Sequence, residues 1–418
     1  MRGEVRVPGD KSVSHRALIF GALAEGLSEA SGLAPGADVR STRGVLEALG
    51  VEFSDAPGGV VRVSGRGLGG LTAPAEALDA GNSGTTTRLM AGVLAGHSFS
   101  SEIAGDESLN RRPMKRVAEP LRAMGAKIDL TKTGTAPMTI RGGDLRGLAY
   151  EMPVASAQVK SAILLAGLHA AGTTIVAEKS PTRDHTERML TLFGAPPKLH
   201  GGAVEIEGGA RLRAARVEVP GDPSSAAFWV VAAAAREGGE IVVRGVLSNP
   251  SRGGYLRVLE RMGASVRREP APARGGEQCE DLIARGGKLR GVEVAADEIP
   301  SLVDEVPILA LAAAVAEGES RFRGLDELRH KESDRLAAIA ELLGRFGAVA
   351  RVSGDDLIVA GGARLRGARI DPRADHRLAM TAYVAGFLAE GETRVRDAEC
   401  ASISYPSFYD DFDARRSA

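Results

Sequence analysis

Apolar and polar positions run along the chain in a pattern that recurs six times. Six alanine-rich runs are HRALIFGALAEG ending at Gly26, TTRLMAGVLAG at Gly96, SAILLAGLHAAG at Gly172, AFWVVAAAAREG at Gly238, PILALAAAVAEG at Gly318 and MTAYVAGFLAEG at Gly391. Each predicts a buried helix closed by a C′ glycine. Short alternating segments follow, such as TIVAEKS, EIVVRGV, SRFRGL and TRVRDA, and predict strands. A second helix then recurs in most units and ends in an apolar-Gly-Ala type of signature, as in VLEALGVEF, PLRAMGAKI, MLTLFGAPP, VLERMGASV and LLGRFGAVA. Another strand, a glycine turn (RGGDLRG, RGGKLRG, GGARLRG) and a further strand complete the unit.

The period is about 70 residues, longer than in common solenoids. PGDKSVSHRA at Pro8 is echoed by PGDPSSAAFW at Pro220, at the same point of the repeat, so the units group into two triplets. This predicts an α/β protein of two pseudo-symmetric domains, each of three β-α-β-α-β-β type repeats. Residues 11–219 make the first domain; 1–10 and 220–418 make the second, whose last unit is cut short near YPSFYDDF. A doubly wound sheet is the plainer α/β alternative, but that fold shows no such repeat.

Composition narrows the function classes. The 418 residues carry 44% hydrophobic and 26% charged side chains, enough for two globular domains. A net charge of -1 and 4% aromatics argue against nucleic-acid binding, while leaving room for a local basic cleft. Two cysteines, Cys279 and Cys400, make neither a disulfide framework nor a zinc pattern and suit a reducing cytoplasm. MRGEVRV lacks the apolar core of a signal peptide, and Ala226–Ala235 and Pro307–Ala316 are each about half a membrane span. The expectation is a soluble cytoplasmic protein without a membrane partner.

The unusual residues gather in the loops that precede the alanine-rich helices: PGDKSVSHR, AGNSGTTTR, PVASAQVKS, PGDPSSAAF, SLVDEVPIL and RADHRLAM. Pro-Gly-Asp marks a turn, and Ser12 or Ser14 is expected to cap the helix that follows. Lys11 then stands at a helix N-terminus, with Ser12 and Arg16 four apart on one face, a set able to bind carboxylate or phosphate. Arg88, Arg111, Arg112 and Lys115 lie near the second loop, and Lys331 and Arg335 share a helix face beside Glu332. Arg377 opens another helix, whereas PGDPSSAAF has no base and is expected only to cap. A charged helix face alone is usually just solvated. Its recurrence at equivalent ends of the repeats points instead to an anionic ligand.

PGDKSVSHRAL, GNSGTTTR, NRRPMKR, SAQVKSA, TRDHTERM, PGDPSSAAF, IPSLVDEVPILA, HKESDR and DHR, in this order, resemble the enolpyruvylshikimate-3-phosphate synthases over essentially the whole chain. The resemblance implies two inside-out α/β domains with the active site in the cleft between them, the enolpyruvyl transferase fold. It implies transfer of the enolpyruvyl group of phosphoenolpyruvate to the 5-hydroxyl of 3-phosphoshikimate by addition and elimination, releasing phosphate on the way to chorismate. No metal or organic cofactor is implied, and a monomer is the family expectation.

By the same resemblance, Lys11, Ser12 and Arg16 hold 3-phosphoshikimate, with Lys11 also reaching phosphoenolpyruvate. Gly84, Arg112, Gln158, Arg335 and Arg377 match phosphoenolpyruvate contacts, and Ser156, Ala157 and Gln158 match the phosphate-binding turn. Ala157 departs from members with a second serine there and is similar to a Ser-Ala-Gln subgroup, in which Arg183 supplies the phosphate contact. Asp304 matches the base that takes the proton of the attacking hydroxyl. Lys331 matches a substrate-binding lysine, and Glu332 a glutamate of proton transfer. Ile403 is a second departure, standing where many members have lysine. Gly84 matches glyphosate-sensitive members, and residues drawn from both halves imply that substrate anions drive domain closure.

The chemistry asks for these types independently. Two phosphates and two carboxylates must be neutralised, and the reaction needs a base near the hydroxyl and an acid near the methylene carbon. Two other readings compete. The sister enolpyruvyl transferase acting on UDP-N-acetylglucosamine carries Lys-Asn where this chain has Lys11-Ser12, and usually a loop cysteine absent here. A noncatalytic anion-binding repeat protein has no need of the colinear Lys11, Asp304, Glu332 and Arg377.

Overall fold

The computed structural model describes residues 1–416. The chain divides into two compact units, one made of Gly9–Pro220 with Arg274–Glu277, the other of Met1–Pro8, Gly221–Ala273 and Gln278–Ala418. The six alanine-rich runs are helices: Lys11–Leu23, Gly84–Ala95 and Ala157–Gly167 in the first unit, and Pro223–Ala234, Val306–Val315 and His376–Leu388 in the second. They are buried nearly all round, as helices apolar over most of their surface must be. Every residue of Pro223–Ala234 is buried. The helices pack on one another at the centre of each unit, closely enough that a Cβ on Gly92 would lie 2.2 Å from Ala162 O.

Sheets flank these helices, three to a unit, which makes each unit an inside-out α/β body. Among the described residues, five of the six sheets are four-stranded. In the sheet of Leu78–Asp79, Ser100–Ala104, Met138–Arg141 and Lys127–Asp129, the first pair is parallel and the others antiparallel. The chain order of that repeat is β-α-β-α-β-β, with the one-turn helix Glu107–Asn110 added ahead of Lys115–Ala123. Two strands are exchanged in sequence. Arg2–Val5 runs parallel to Glu240–Leu247, whereas Arg216–Glu218 runs parallel to Glu25–Ser31. The sixth unit keeps only Arg369–Ile370 paired with Arg394–Val395. There the helix Phe408–Arg416 supplies the missing cover, setting Phe412 5.2 Å from Trp229 and 5.3 Å from Phe387, ring centre to ring centre. Burying each such ring contributes about 1.5–3 kcal/mol.

The glycines sort into roles that differ from expectation. The C′ glycines belong to the second helices: Gly50, Gly125, Gly194, Gly263 and Gly347 all have positive φ. The next residue donates back to the last turn, as Val51 N does to Leu46 O at 3.0 Å and Ala348 N to Leu343 O at 3.0 Å. The buried helices end otherwise. Gly96 is helical, and Gly26 already lies in a strand. The last carbonyls of these helices are met instead by the glycine turns, with Gly143 N donating to Ala95 O at 3.2 Å and Gly362 N to Ala316 O at 2.6 Å. A Cβ on Gly142 would sit 2.3 Å from Ala95 O, so the turn needs glycine for close approach.

Candidate active site

Nine of the expected residues lie in the unit of Gly9–Pro220: Lys11, Ser12, Arg16, Gly84, Arg112, Ser156, Ala157, Gln158 and Arg183. Asp10, not Ser12 or Ser14, caps Lys11–Leu23, its Oδ1 accepting from Val13 N at 2.8 Å. Ser14 Oγ instead donates to Asp10 O. Lys11 is thus the first helical residue, and its Nζ lies 3.0 Å from Oδ2 of Asp38, in the first turn of the helix Ala37–Ala48. Arg16 is 2% exposed, deeper than a surface contact would be. Its Nη1 donates to Ser12 O at 2.9 Å, Nε to Thr186 Oγ1 at 2.7 Å and Nη2 to Ser161 Oγ at 2.6 Å. Burial lowers its pKa to about 10, against the charge of Glu187, and Arg183 is near enough to lower it further. Arg16 therefore remains a cation at neutral pH while bracing three helices.

Ser83 caps the next buried helix, accepting from Thr86 N at 3.1 Å, and Gly84 follows as its first residue. A Cβ there would stand 2.5 Å from Arg88 Nη1 and 3.4 Å from Arg112 Nη1. Arg112 Nη2 donates to Asn82 Oδ1 at 2.5 Å. Gln158 joins the same group: its Oε1 accepts from Arg88 Nη1 and its Nε2 donates to Thr85 Oγ1, both at 3.0 Å. Ser156 caps Ala157–Gly167 through Val159 N at 3.4 Å, which puts Ala157 and Gln158 in the first turn. Gly84, Arg112 and Gln158 are thus brought together, with Arg88 as a member the sequence placed nearby without a role.

A buried chain of hydroxyls ties the helix starts to one another. His15 Nδ1 lies 2.6 Å from Thr42 Oγ1, which lies 2.7 Å from Thr86 Oγ1, and that hydroxyl reaches Ser83 Oγ at 2.7 Å. Burial lowers the His15 pKa to about 3, so the ring is neutral at physiological pH and adds no charge beside Lys11.

Asp304, Lys331, Glu332, Arg335 and Arg377 lie in the other unit. Asp304 Oδ1 is 3.5 Å from Arg335 Nη1 and 3.9 Å from Lys331 Nζ, and its Oδ2 is 3.9 Å from Arg377 Nη2. One carboxylate so faces three cations. Arg377 Nη1 also donates to Asp304 O at 3.2 Å. Lys331 Nζ pairs with Glu327 at 2.7 Å, and Glu332 Oε2 accepts from Arg335 Nη2 at 2.5 Å.

Arg335, expected at a ligand, is 1% exposed, and its Nε lies 2.7 Å from Oδ2 of Asp375, which is fully buried. Burial opposes the charge on Arg335, yet Asp375, Glu332 and Asp304 together raise its pKa. Burial likewise pushes Asp375 up, and Arg335 more than reverses that. Asp375 also caps His376–Leu388, accepting from Arg377 N at 3.0 Å.

PGDPSSAAF does more than cap. Asp222 accepts from Ser224 N at 2.8 Å and from Arg252 Nη2 at 3.0 Å, and Arg252 reaches Ser224 Oγ at 2.9 Å. Ser224 Oγ donates in turn to the buried Glu305, whose pKa burial raises. Asp38, Arg252, Glu305 and Asp375 were assigned no role from the sequence. Of these, Asp375 lies in the quoted DHR and Glu305 follows Asp304 directly. Ile403 ends the 3₁₀ turn Ala398–Ile403, half-buried.

Among the described residues, Asp184, His185 and Glu277 are the group whose ligand atoms lie within 4.8 Å of one another. Arg188 Nε sits 3.0 Å from Asp184 and 3.2 Å from Glu277, so a guanidinium already brings the charge a cation would supply.

Residues 1–412 match the family model of EPSP synthase (3-phosphoshikimate 1-carboxyvinyltransferase). A 3-phosphoshikimate 1-carboxyvinyltransferase of Synechococcus sp. (strain JA-3-3Ab) is 51% identical over 412 residues, 98% of this chain and 93% of that protein. One of Pelotomaculum thermopropionicum is 51% identical over 416 residues, 98% and 95% of the two chains. The solved EPSP synthase of Acinetobacter baumannii superposes with a TM-score of 0.88 at 42% identity, covering 99% of this chain and 95% of the other.

Proposed function

Since the chain belongs to the EPSP synthase (3-phosphoshikimate 1-carboxyvinyltransferase) family, we propose that the two clusters described above act together on one pair of substrates. The chain is a transferase that moves the enolpyruvyl group of phosphoenolpyruvate to 3-phosphoshikimate in the shikimate pathway. In our reading the acceptor atom is the 5-hydroxyl oxygen, and the reaction runs by addition and elimination. Asp304 takes the hydroxyl proton as the oxygen bonds to C2 of phosphoenolpyruvate, and the methylene carbon gains a proton. Loss of a methyl proton and of inorganic phosphate then restores the double bond. Glu332 and Lys11 are assigned to proton transfer beside Asp304.

The observation that carries this reading is the single carboxylate of Asp304 set among Lys331, Arg335 and Arg377, a base held beside cations that suit anionic substrates. Lys11, Ser12, Arg16, Ser156, Ala157, Gln158, Arg183, Asp304 and Lys331 are assigned to 3-phosphoshikimate. Lys11, Gly84, Arg112, Gln158, Arg335 and Arg377 are assigned to phosphoenolpyruvate. Arg16 and Arg335 act mainly by holding their neighbours, because most of their donors are already engaged. A cytoplasmic monomer is part of the same proposal; among the described residues no helix is long and apolar enough to cross a membrane.

Phosphate release from phosphoenolpyruvate tests the assignment, with 3-phosphoshikimate and UDP-N-acetylglucosamine as alternative acceptors. Release with 3-phosphoshikimate alone is expected. Release with the sugar nucleotide alone overturns the acceptor assignment.

Gly84 gives a second test. The protein with Gly84→Ala is expected to fold, because the atom a new methyl meets at 2.5 Å is the far end of the long Arg88 side chain. Displacing Arg88 and crowding Arg112 is expected to raise KM for phosphoenolpyruvate about fivefold, and to weaken glyphosate inhibition by more than that. Unchanged inhibition would remove Gly84 from the phosphoenolpyruvate site.

A further inference from the structure

Lys160 is one turn into the helix Ala157–Gly167, just beyond Gln158, and its side chain is 2% exposed. Its ammonium lies 2.7 Å from Glu178 Oε2 and 2.7 Å from Glu187 Oε1, two carboxylates that are themselves buried to 7% and 6% exposure. Glu178 is the last residue of the strand Thr173–Glu178, and Glu187 is in the first turn of the helix His185–Leu192. The irregular segment 179–184 between those elements carries Arg183. Thr182, next to Arg183, donates from Oγ1 to the other oxygen of Glu178. A side-chain path of two steps, Lys160 to Glu178 to Thr182, therefore joins the start of one helix to the residue beside Arg183.

A buried ion cluster of this kind is poor glue, since apolar residues of equal volume usually stabilise a fold as well or better. What it supplies is direction. An ammonium with three tetrahedral donors fixes both carboxylates in angle as well as distance. Glu187 extends the frame, because its charge acts on Arg16, whose Nε and Nη2 reach Thr186 and Ser161. The turn Ser156–Gln158, Arg16 and the Arg183 segment are thus held by one buried network.

We propose that Lys160 is a positioning residue for the phosphate of 3-phosphoshikimate, holding the segment that carries Arg183 in register with the turn Ser156–Gln158. This rests on the assignment of Arg183 and Ser156 to that phosphate. The segment then has a defined geometry before substrate arrives, which lowers the ordering cost of binding.

Steady-state kinetics with both substrates varied tests this in four variants: Lys160→Met, Thr182→Val, Arg183→Ala and the double variant Lys160→Met/Arg183→Ala. Lys160→Met is expected to raise KM for 3-phosphoshikimate about tenfold and to leave KM for phosphoenolpyruvate within about twofold. Thr182→Val leaves no buried charge unpaired and is expected to move the same KM about threefold, so it decides the matter if Lys160→Met does not fold. In the Arg183→Ala background, Lys160→Met should add little, because both changes remove one contact. If Arg183→Ala raises KM for 3-phosphoshikimate while Lys160→Met and Thr182→Val do not, the positioning role is overturned and the Arg183 assignment stands. If Arg183→Ala has no effect on that KM, the underlying assignment falls. Equal rises in both KM values, together with a lowered melting temperature, would make Lys160 structural only and would also overturn the proposal.

Discussion

Asp304→Asn is expected to lower kcat about a thousandfold while leaving KM for phosphoenolpyruvate unchanged or lower. Asparagine keeps the shape of the side chain and its backbone contact with Arg377, but it cannot accept the hydroxyl proton. The split between kcat and KM follows from the surroundings. Arg335, Arg377 and Lys331 lie 3.5, 3.9 and 3.9 Å from the Asp304 carboxylate, so that carboxylate competes with an incoming anion for the same cations. Removing its charge frees Arg377 to bind phosphoenolpyruvate while stopping proton removal. Stopped-flow phosphate release across a phosphoenolpyruvate titration separates the two parameters. A large rise in KM with kcat preserved would show that Asp304 binds substrate without acting as base, and the proton would have to leave through another group.

The repeat was legible because burial of apolar side chains writes a period into the sequence. Six alanine-rich, mostly apolar helices with glycines between them have few interpretations other than six repeated units. The loops at their N-termini were legible for the same reason, since they interrupt the apolar runs at a fixed place. Charge pairing left no comparable trace. Lys11 finds Asp38 across 27 positions, and Arg335 finds Asp375 across 40, so neither partner is visible in a local window.

KESDR shows how this misleads. Lys331 and Arg335 read as one helix face, yet Lys331 is extended and the helix begins only at Arg335, which is almost completely buried because Asp304 and Asp375 from other segments meet it along with Glu332. Lys160 is hidden in the same way inside an apolar run. Cap assignment failed for a different reason. PGDKSVS offers three capping side chains within five residues, and propensity ranks Asp and Ser alike, so only backbone geometry selects Asp10.

A large stability effect is expected from Asp375→Asn, about 3–5 kcal/mol at pH 7, because it leaves Arg335 buried against weaker partners. Asparagine caps a helix as well as aspartate does, so the bond from Arg377 N survives and the loss reports the ion pair. Replacing both partners, Asp375→Asn with Arg335→Met, removes the stranded charge and should recover part of the stability, giving a coupling that a simple packing defect would not show.

The pH dependence follows from the direction of the shift. Arg335 holds the folded-state pKa of Asp375 below its ordinary value, against the effect of burial. The contribution is then complete above the unfolded pKa of about 3.9 and is lost as pH falls from there through the folded value. Urea unfolding of both proteins should give a constant difference from pH 7 to about pH 5, narrowing only below about pH 4. A difference under about 1 kcal/mol at neutral pH would mean that Glu332 and Asp304 suffice to neutralise Arg335. In that case Asp375 would serve only as a helix cap.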